Sequence, residues 1–186
     1  MATTLIISLT FFTTPSLLIN HRFYRVKIKE EGRVLERMSK LRVIGIIEIV
    51  VRDGRGRIKY RIIRRNLITD AGLEYIAKAL GGLITVEAFK YIAIGSGTTA
   101  PSGSDTALEN EIAREEGSVS LETTNVTNDT LKVSASFTFT ASYDISESGL
   151  FNAASGGTML ARQTFDTISV KAGYELDVTW RIVFSR

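Results

Sequence analysis

From Leu131 to Phe139 every second residue is apolar, with Lys132, Ser134, Ser136 and Thr138 between them. The same period of two returns in Leu176, Val178, Trp180, Ile182 and Phe184. Successive side chains of a strand point to opposite faces, so each run reads as a strand with one face in a core. Residues 41–51 (Leu-Arg-Val-Ile-Gly-Ile-Ile-Glu-Ile-Val-Val) are β-branched and apolar enough for both faces to be at least partly covered. Asp53-Gly54-Arg55-Gly56 supplies turn residues. A return strand over 58–65 then sets Ile58, Tyr60 and Ile62 on one face and Lys59, Arg61 and Ile63 on the other. Upstream, residues 22–29 read as a half-exposed strand with a basic outer face, ending in a turn at Glu30–Arg33.

One segment breaks the β pattern. Between a capping Thr69 or Asp70 and the stop Gly81-Gly82, the apolar positions Leu73, Ile76, Ala77 and Leu80 fall on one helical stripe. That stripe is expected to lie on a sheet. Gly95 to Asp105 reads as a long loop, and Leu108 to Arg114 as a helical turn or an extended crossing segment. Strands are expected over 117–123, 130–141, Leu150-Phe151, Met159–Phe165 and Leu176–Phe184. Many short strands and one helix give the expected fold: mainly β, an antiparallel β-sandwich, jelly-roll-like as one option, with a short α-helix near 70–81. Residues 38–186 form a single domain opening with a basic β-hairpin at 41–65. Residues 1–37 form an N-terminal extension, a strand-forming or interface arm.

The composition, 44% hydrophobic and 23% charged, is that of a folded globular chain. With no cysteine there is neither a disulfide framework nor a thiolate metal site. Abundant Ile and Arg with scarce His, Cys and Met point to a thermophilic source. Charge is unevenly placed. Residues 1–65 hold 15 Lys/Arg against 5 Asp/Glu, a net of +10, and residues 66–186 hold 8 against 15, a net of −7. Such asymmetry fits a solvated basic hairpin, complementary surfaces in an assembly, or a nucleic-acid-binding arm. No helix-turn-helix, RNA-recognition or zinc motif accompanies the basic run, so nucleic acid ranks last.

The apolar stretch Leu5–Phe12 is too short to span a bilayer as a helix. It lacks the basic start of a secretory signal, since nothing basic precedes His21 and Arg22. Two readings stay open: a true start at Met38, or a β-rich extension over residues 3–12 that pairs with a neighbouring subunit.

Candidate chemistry is thin. Gly95-Ser-Gly97 is followed by Thr98-Thr-Ala-Pro101 and not by the Gly-Lys-Ser/Thr of a phosphate-binding loop. Glu109, Glu111, Glu115 and Glu116, like Asp129, Asp144 and Glu147, lack calcium-loop spacing and read as surface acids. His21 is the only imidazole, and no Gly-x-Ser-x-Gly elbow occurs. No catalytic residue, metal or cofactor is therefore expected. Trp180 and Phe184 read as core.

Five short motifs occur in order: Asn66-Leu-Ile-Thr69-Asp70-Ala-Gly72, Tyr91-Ile-Ala-Ile-Gly95-Ser-Gly97-Thr-Thr-Ala-Pro101, Thr106-Ala-Leu108-Glu-Asn-Glu111-Ile-Ala-Arg114, Ile145-Ser-Glu147-Ser-Gly149-Leu-Phe151-Asn152, and Leu176 to Phe184. Their succession over residues 66–186 resembles a domain of tailed-phage appendages, the tail-fibre and baseplate-associated proteins. The resemblance implies a structural virion protein, a homo-oligomer (often a trimer) and no catalysis. It also implies a bridge from Arg114 to a carboxylate that pins its segment to the sheet. Interfaces would then carry function, with Leu5, Ile7, Leu9 and Phe11 in the extension and Arg55, Arg57, Arg61 and Arg64 in the hairpin as the candidate contacts. The competing reading is a secreted, pilus-like filament subunit that donates its N-terminal strand to the next copy. The corresponding locations are the virion or an extracellular filament.

Overall fold

The computed structural model describes residues 41–186, together with two short strands, β1 (Lys27–Glu30) and β2 (Arg33–Glu36), in the stretch before them. The chain divides into two units between Lys40 and Leu41. In the first, β1 and β2 pair antiparallel, with Lys27 opposite Glu36 and Glu30 opposite Arg33.

The second unit holds β3 (Arg42–Arg52), β4 (Ile58–Ile68), α1 (Asp70–Leu80), β5 (Tyr91–Gly95), β6 (Glu111–Glu116) and β7 (Ser118–Glu122). It continues with β8 (Thr130–Thr138), β9 (Tyr143–Phe151), β10 (Met159–Val170) and β11 (Glu175–Ser185). These nine strands form one sheet in the order β6-β5-β9-β10-β4-β3-β11-β8-β7. Every pairing is antiparallel.

Two bends fold this sheet around its core into a nearly closed barrel of the sandwich class. Residues Ile58–Asn66 of β4 pair with β3, while Leu67 and Ile68 pair with β10. At this bend the Asn66 amide lies over Gly45, in the space that a Cβ there would take. At the opposite corner Gly117 separates β6, paired with β5, from β7, paired with β8. Gly117 N–H donates to Lys90 O at 2.7 Å. A Cβ at Gly117 would lie 2.9 Å from both Ser134 O and Val133 Cγ1, so only glycine lets the strand cross between the two halves.

The alternating runs face inward as their period demands. Ile47, Ile49 and Val51 of β3 and Leu176, Val178, Trp180 and Ile182 of β11 are essentially inaccessible to water. They meet Ile92 and Ile94 of β5, Leu150 of β9 and Leu160 of β10 across the core. Each such large side chain contributes about 1.5–3 kcal/mol by leaving water. Trp180 also joins the two halves directly, since its Nε1 donates to Ser148 Oγ of β9 at 3.3 Å.

The helix stands where expected, but of its apolar stripe only Ile76 lies on the core. Leu73 and Leu80 are 46% and 83% exposed, and Ala77 also faces water. The inward face is Gly72, Tyr75, Ile76 and Ala79. Backbone contact chose it. Thr69 caps α1 by accepting from Gly72 N–H at 3.0 Å, while its own N–H donates to Leu160 O of β10 at 3.0 Å. A Cβ on Gly72 would sit 2.6 Å from Leu160 O, so the first turn presses on β10 at its smallest residue. Tyr75 then packs edge-on against Phe89, ring centroids 4.9 Å apart.

Two other expectations change. Leu108–Arg114 resolves into a loop leading into β6, a strand. The strand before Asn152 starts at Tyr143, well before Leu150, and includes the buried polar run Ser146-Glu147-Ser148.

Candidate functional site

Four of the five sequence motifs converge on the part of the sheet made by β5, β9 and β10. The register sets Gly95 opposite Glu147, Ala93 opposite Gly149, and Gly149 opposite Arg162. Glu147 and Arg162 are thus diagonal neighbours on one face, and both are buried. Glu147 Oε2 accepts from Arg162 Nη2 at 2.8 Å and Nε at 3.0 Å. The same carboxylate accepts three backbone N–H groups from the covering loop: Gly97 at 2.9 Å, Asn110 at 2.8 Å and Glu109 at 3.1 Å. Arg162 Nη1 reaches Asp105 of that loop at 2.8 Å. Glu109 in turn accepts Thr98 N–H and Thr99 N–H, both at 2.9 Å.

The two glycines of Gly95-Ser-Gly97 answer to this carboxylate. A Cβ would come within 2.6 Å of Glu147 Oε1 at Gly95 and within 2.5 Å at Gly97. They are glycines because Glu147 fills the space beside them. Burial works against the Arg162 charge, but its hydrogen bonds to Glu147 and Asp105 prevail and hold its pKa above the ordinary value.

Beside the ion pair, Ala93, Leu108, Phe151 and Met159 form a second small core beneath the loop. Arg114 closes it. Its guanidinium lies 3.7 Å from the Phe151 ring centroid and grips Glu111 with two bonds of 2.9 and 2.7 Å. Its Nη1 donates to Ala153 O and Gly156 O, both at 2.9 Å, which ties the β9–β10 turn to β6. The first motif joins through Asp70 N–H, which donates to Gly103 O at 2.8 Å.

This arrangement is a fastener. Both oxygens of Glu147 are occupied by donors, and the loop covers them. Among the described residues no group of three His, Cys, Asp or Glu side chains is placed to hold a metal ion. The reading of Glu147 as a surface acid is corrected: it is fully buried because Arg162 neutralises it and three N–H groups solvate it. Sequence reasoning missed Arg162 altogether. The available signal was a lone Glu in the otherwise strand-like Ile145-Ser-Glu-Ser-Gly-Leu-Phe151.

The basic hairpin does not present one positive face. Arg57 turns back on Asp53 at 2.8 Å, and Arg61 on Glu48 at 2.8 Å. The register places Arg61 opposite Val50 and Arg64 opposite Ile47, on opposite faces of β4. Arg55, in the turn, and Arg64 are exposed. Leu5, Ile7, Leu9 and Phe11 lie outside the described residues, as do His21 and Met38. Across the outer face an ion-pair ladder runs from Glu48 to Arg181 (3.1 Å) to Glu122 (2.8 Å) to Lys132 (2.9 Å).

Asp53 holds the hairpin turn. The Arg57 side chain beside it, with the N–H groups of Arg57 and Arg55, lowers its carboxyl from 3.8 to about 2. A depressed carboxylate stabilises the fold above its unfolded pKa, and that contribution is lost as pH falls from 3.8 through about 2. The amide resonances of Arg55 and Arg57 should therefore titrate with a midpoint near 2. Asp53→Asn should abolish the step. A midpoint near 4, the ordinary aspartate value, would mean that Arg57 does not engage the carboxylate.

Among the described residues no helix is long and apolar enough to cross a membrane. Comparison of the chain with protein-family models, curated proteins and solved structures finds no match in any of the three.

Proposed function

We propose that the chain is a structural subunit of a tailed-virus-like particle, a tail-fibre or baseplate-associated component that works through subunit interfaces and not by catalysis. The observation that carries this reading is the fastened loop. The motifs resembling appendage domains are spent on a buried ion pair, a capped helix and an arginine clamp, which make a rigid building block. No acid, base or nucleophile is left poised in a cleft by that arrangement. The ion-pair ladder suits a particle from a hot environment.

A filament subunit that donates its N-terminal strand is the second reading. It is favoured by one observation: residues Ile58–Asn66 of β4 have a strand partner on one side only among the described residues. Electron microscopy with mass measurement, comparing the full chain with a version starting at Met38, separates the two. A small closed oligomer in both versions supports the appendage. Continuous filaments from the full chain alone support strand donation and overturn the appendage.

A further inference from the structure

This inference rests on the reading of the chain as an assembling subunit, and names the surfaces that meet. Half of the sheet runs β7-β8-β11-β3-β4; among the described residues β7 and residues Ile58–Asn66 of β4 have no strand on their outer side, while Leu67 and Ile68 of β4 pair with β10. The two open edges carry opposite charge. β4 holds Lys59, Arg61, Arg64 and Arg65 and no acid, a net of +4. β6 and β7 hold Glu111, Glu115, Glu116 and Glu122 and one Arg, a net of −3. Arg61 is engaged internally by Glu48, Glu111 by Arg114, Glu116 by Lys90, and Glu122 by Lys132 and Arg181. Lys59, Arg64, Arg65 and Glu115 are exposed.

The side chains also match by face. Following the register across the five strands, Val119 lines up with Val133, Trp180, Ile47 and Arg64. Ser120 lines up with Lys132, Arg181, Ile46 and Arg65. Val119 and Leu121, 48% and 59% exposed, therefore project to the same side of the sheet as Tyr60, itself 50% exposed. Were the sheet continued into another molecule, Val119 and Leu121 would stand on the side of Tyr60 and Ile62, and the polar side of β7 on the side of Arg61 and Arg65.

We infer that the β4 edge of one copy receives the β6–β7 edge of a second copy, head to tail, extending the sheet from subunit to subunit. Pairing β4 with β4 would oppose +4 to +4, so contact between two β4 edges is disfavoured. With five alternating strands, β4 and β7 run parallel. Copies related by rotation about an axis along the strands would then join in parallel register and close a ring.

The absence of cysteine makes the test direct. Ile63→Cys and Ser120→Cys are introduced into the full chain singly and together, and each variant is treated with a short bis-maleimide linker. Within one copy the two sites lie four strand spacings apart, about 19 Å, beyond such a linker. The inference expects covalent multimers from the double variant and single chains from each single variant. Self-crosslinking of Ile63→Cys alone, or of Ser120→Cys alone, would overturn it. So would no crosslinking of a double variant that native mass measurement shows to be oligomeric, which would leave the assembling-subunit reading standing. A monomer by native mass would overturn both. Independently, Arg64→Glu with Arg65→Glu should weaken association about tenfold or more, and adding Glu115→Lys and Glu116→Lys should restore it. Failure of the second pair to restore association in a folded protein would count against the inference.

Discussion

Replacing Glu147 by alanine is expected to lower stability by about 3–5 kcal/mol, because it strands a buried guanidinium. Asp105 remains to Arg162, but it is partly exposed and meets only Nη1. The loss extends to the loop, since Gly97, Glu109 and Asn110 N–H would have no acceptor there. Against a usual total of about 5–15 kcal/mol this is a large fraction, and a fall in Tm of about 6–20 °C is expected. Glu147→Gln should not rescue it, because one amide donor would face another donor. Nor should Glu147→Leu with Arg162→Leu, although replacing a buried ion pair by apolar residues is often neutral. Three orphaned N–H groups each cost about 1–3 kcal/mol, which sets this pair apart from a simple one. Thermal unfolding with limited proteolysis checks this. The first cuts should fall between Thr98 and Leu108, and a double-leucine variant as stable as the parent would contradict the account.

Trp180→Ala is the second large effect, about 3–5 kcal/mol from lost burial and the cavity left behind. Trp180 is fully buried between Ile47 of β3 and Val133 of β8, and its Nε1 reaches Ser148 on the other half of the sheet. Trp180→Phe keeps most of the volume and gives up that hydrogen bond, so it should cost about 1–2 kcal/mol. Because this is the only tryptophan, denaturation must be followed by far-UV circular dichroism. The ranking alanine well below phenylalanine, at an unchanged denaturant slope, is the expected result.

The strands were legible wherever one face is apolar and the other polar, as in β8 and β11. β9 was legible only at its end. Ser146, Glu147 and Ser148 are buried polar residues whose partners, Gly97 O, Arg162 and Ala93 O, come from distant segments. Local pattern carries no trace of such partners, so only Leu150 and Phe151 of this strand read as β. The helix was readable in extent and misread in face. Leu73 and Leu80 are the more hydrophobic residues, but the approach of α1 to β10 is set by the backbone at Gly72.

The interface candidates show both outcomes. Arg61 and Arg64 stand three apart in a strand, and a period of two already puts them on opposite faces. Their pairing with the chain's own acids was not readable, because Glu48 belongs to β3 and the register joining it to β4 depends on the hairpin. The resemblance implies a bridge from Arg114 to a carboxylate, and Glu111, three residues away in the same segment, supplies it. The larger clamp spans residues 97 to 162 and became visible only with the sheet assembled.

The proposed role requires this chain to work as a subunit among copies of itself. Sedimentation velocity on the full chain, over a wide concentration range, tests it most directly. One closed species at a small integer multiple of the 20.5 kDa chain mass, persisting on dilution, is expected. A 20.5 kDa monomer at every concentration would contradict it.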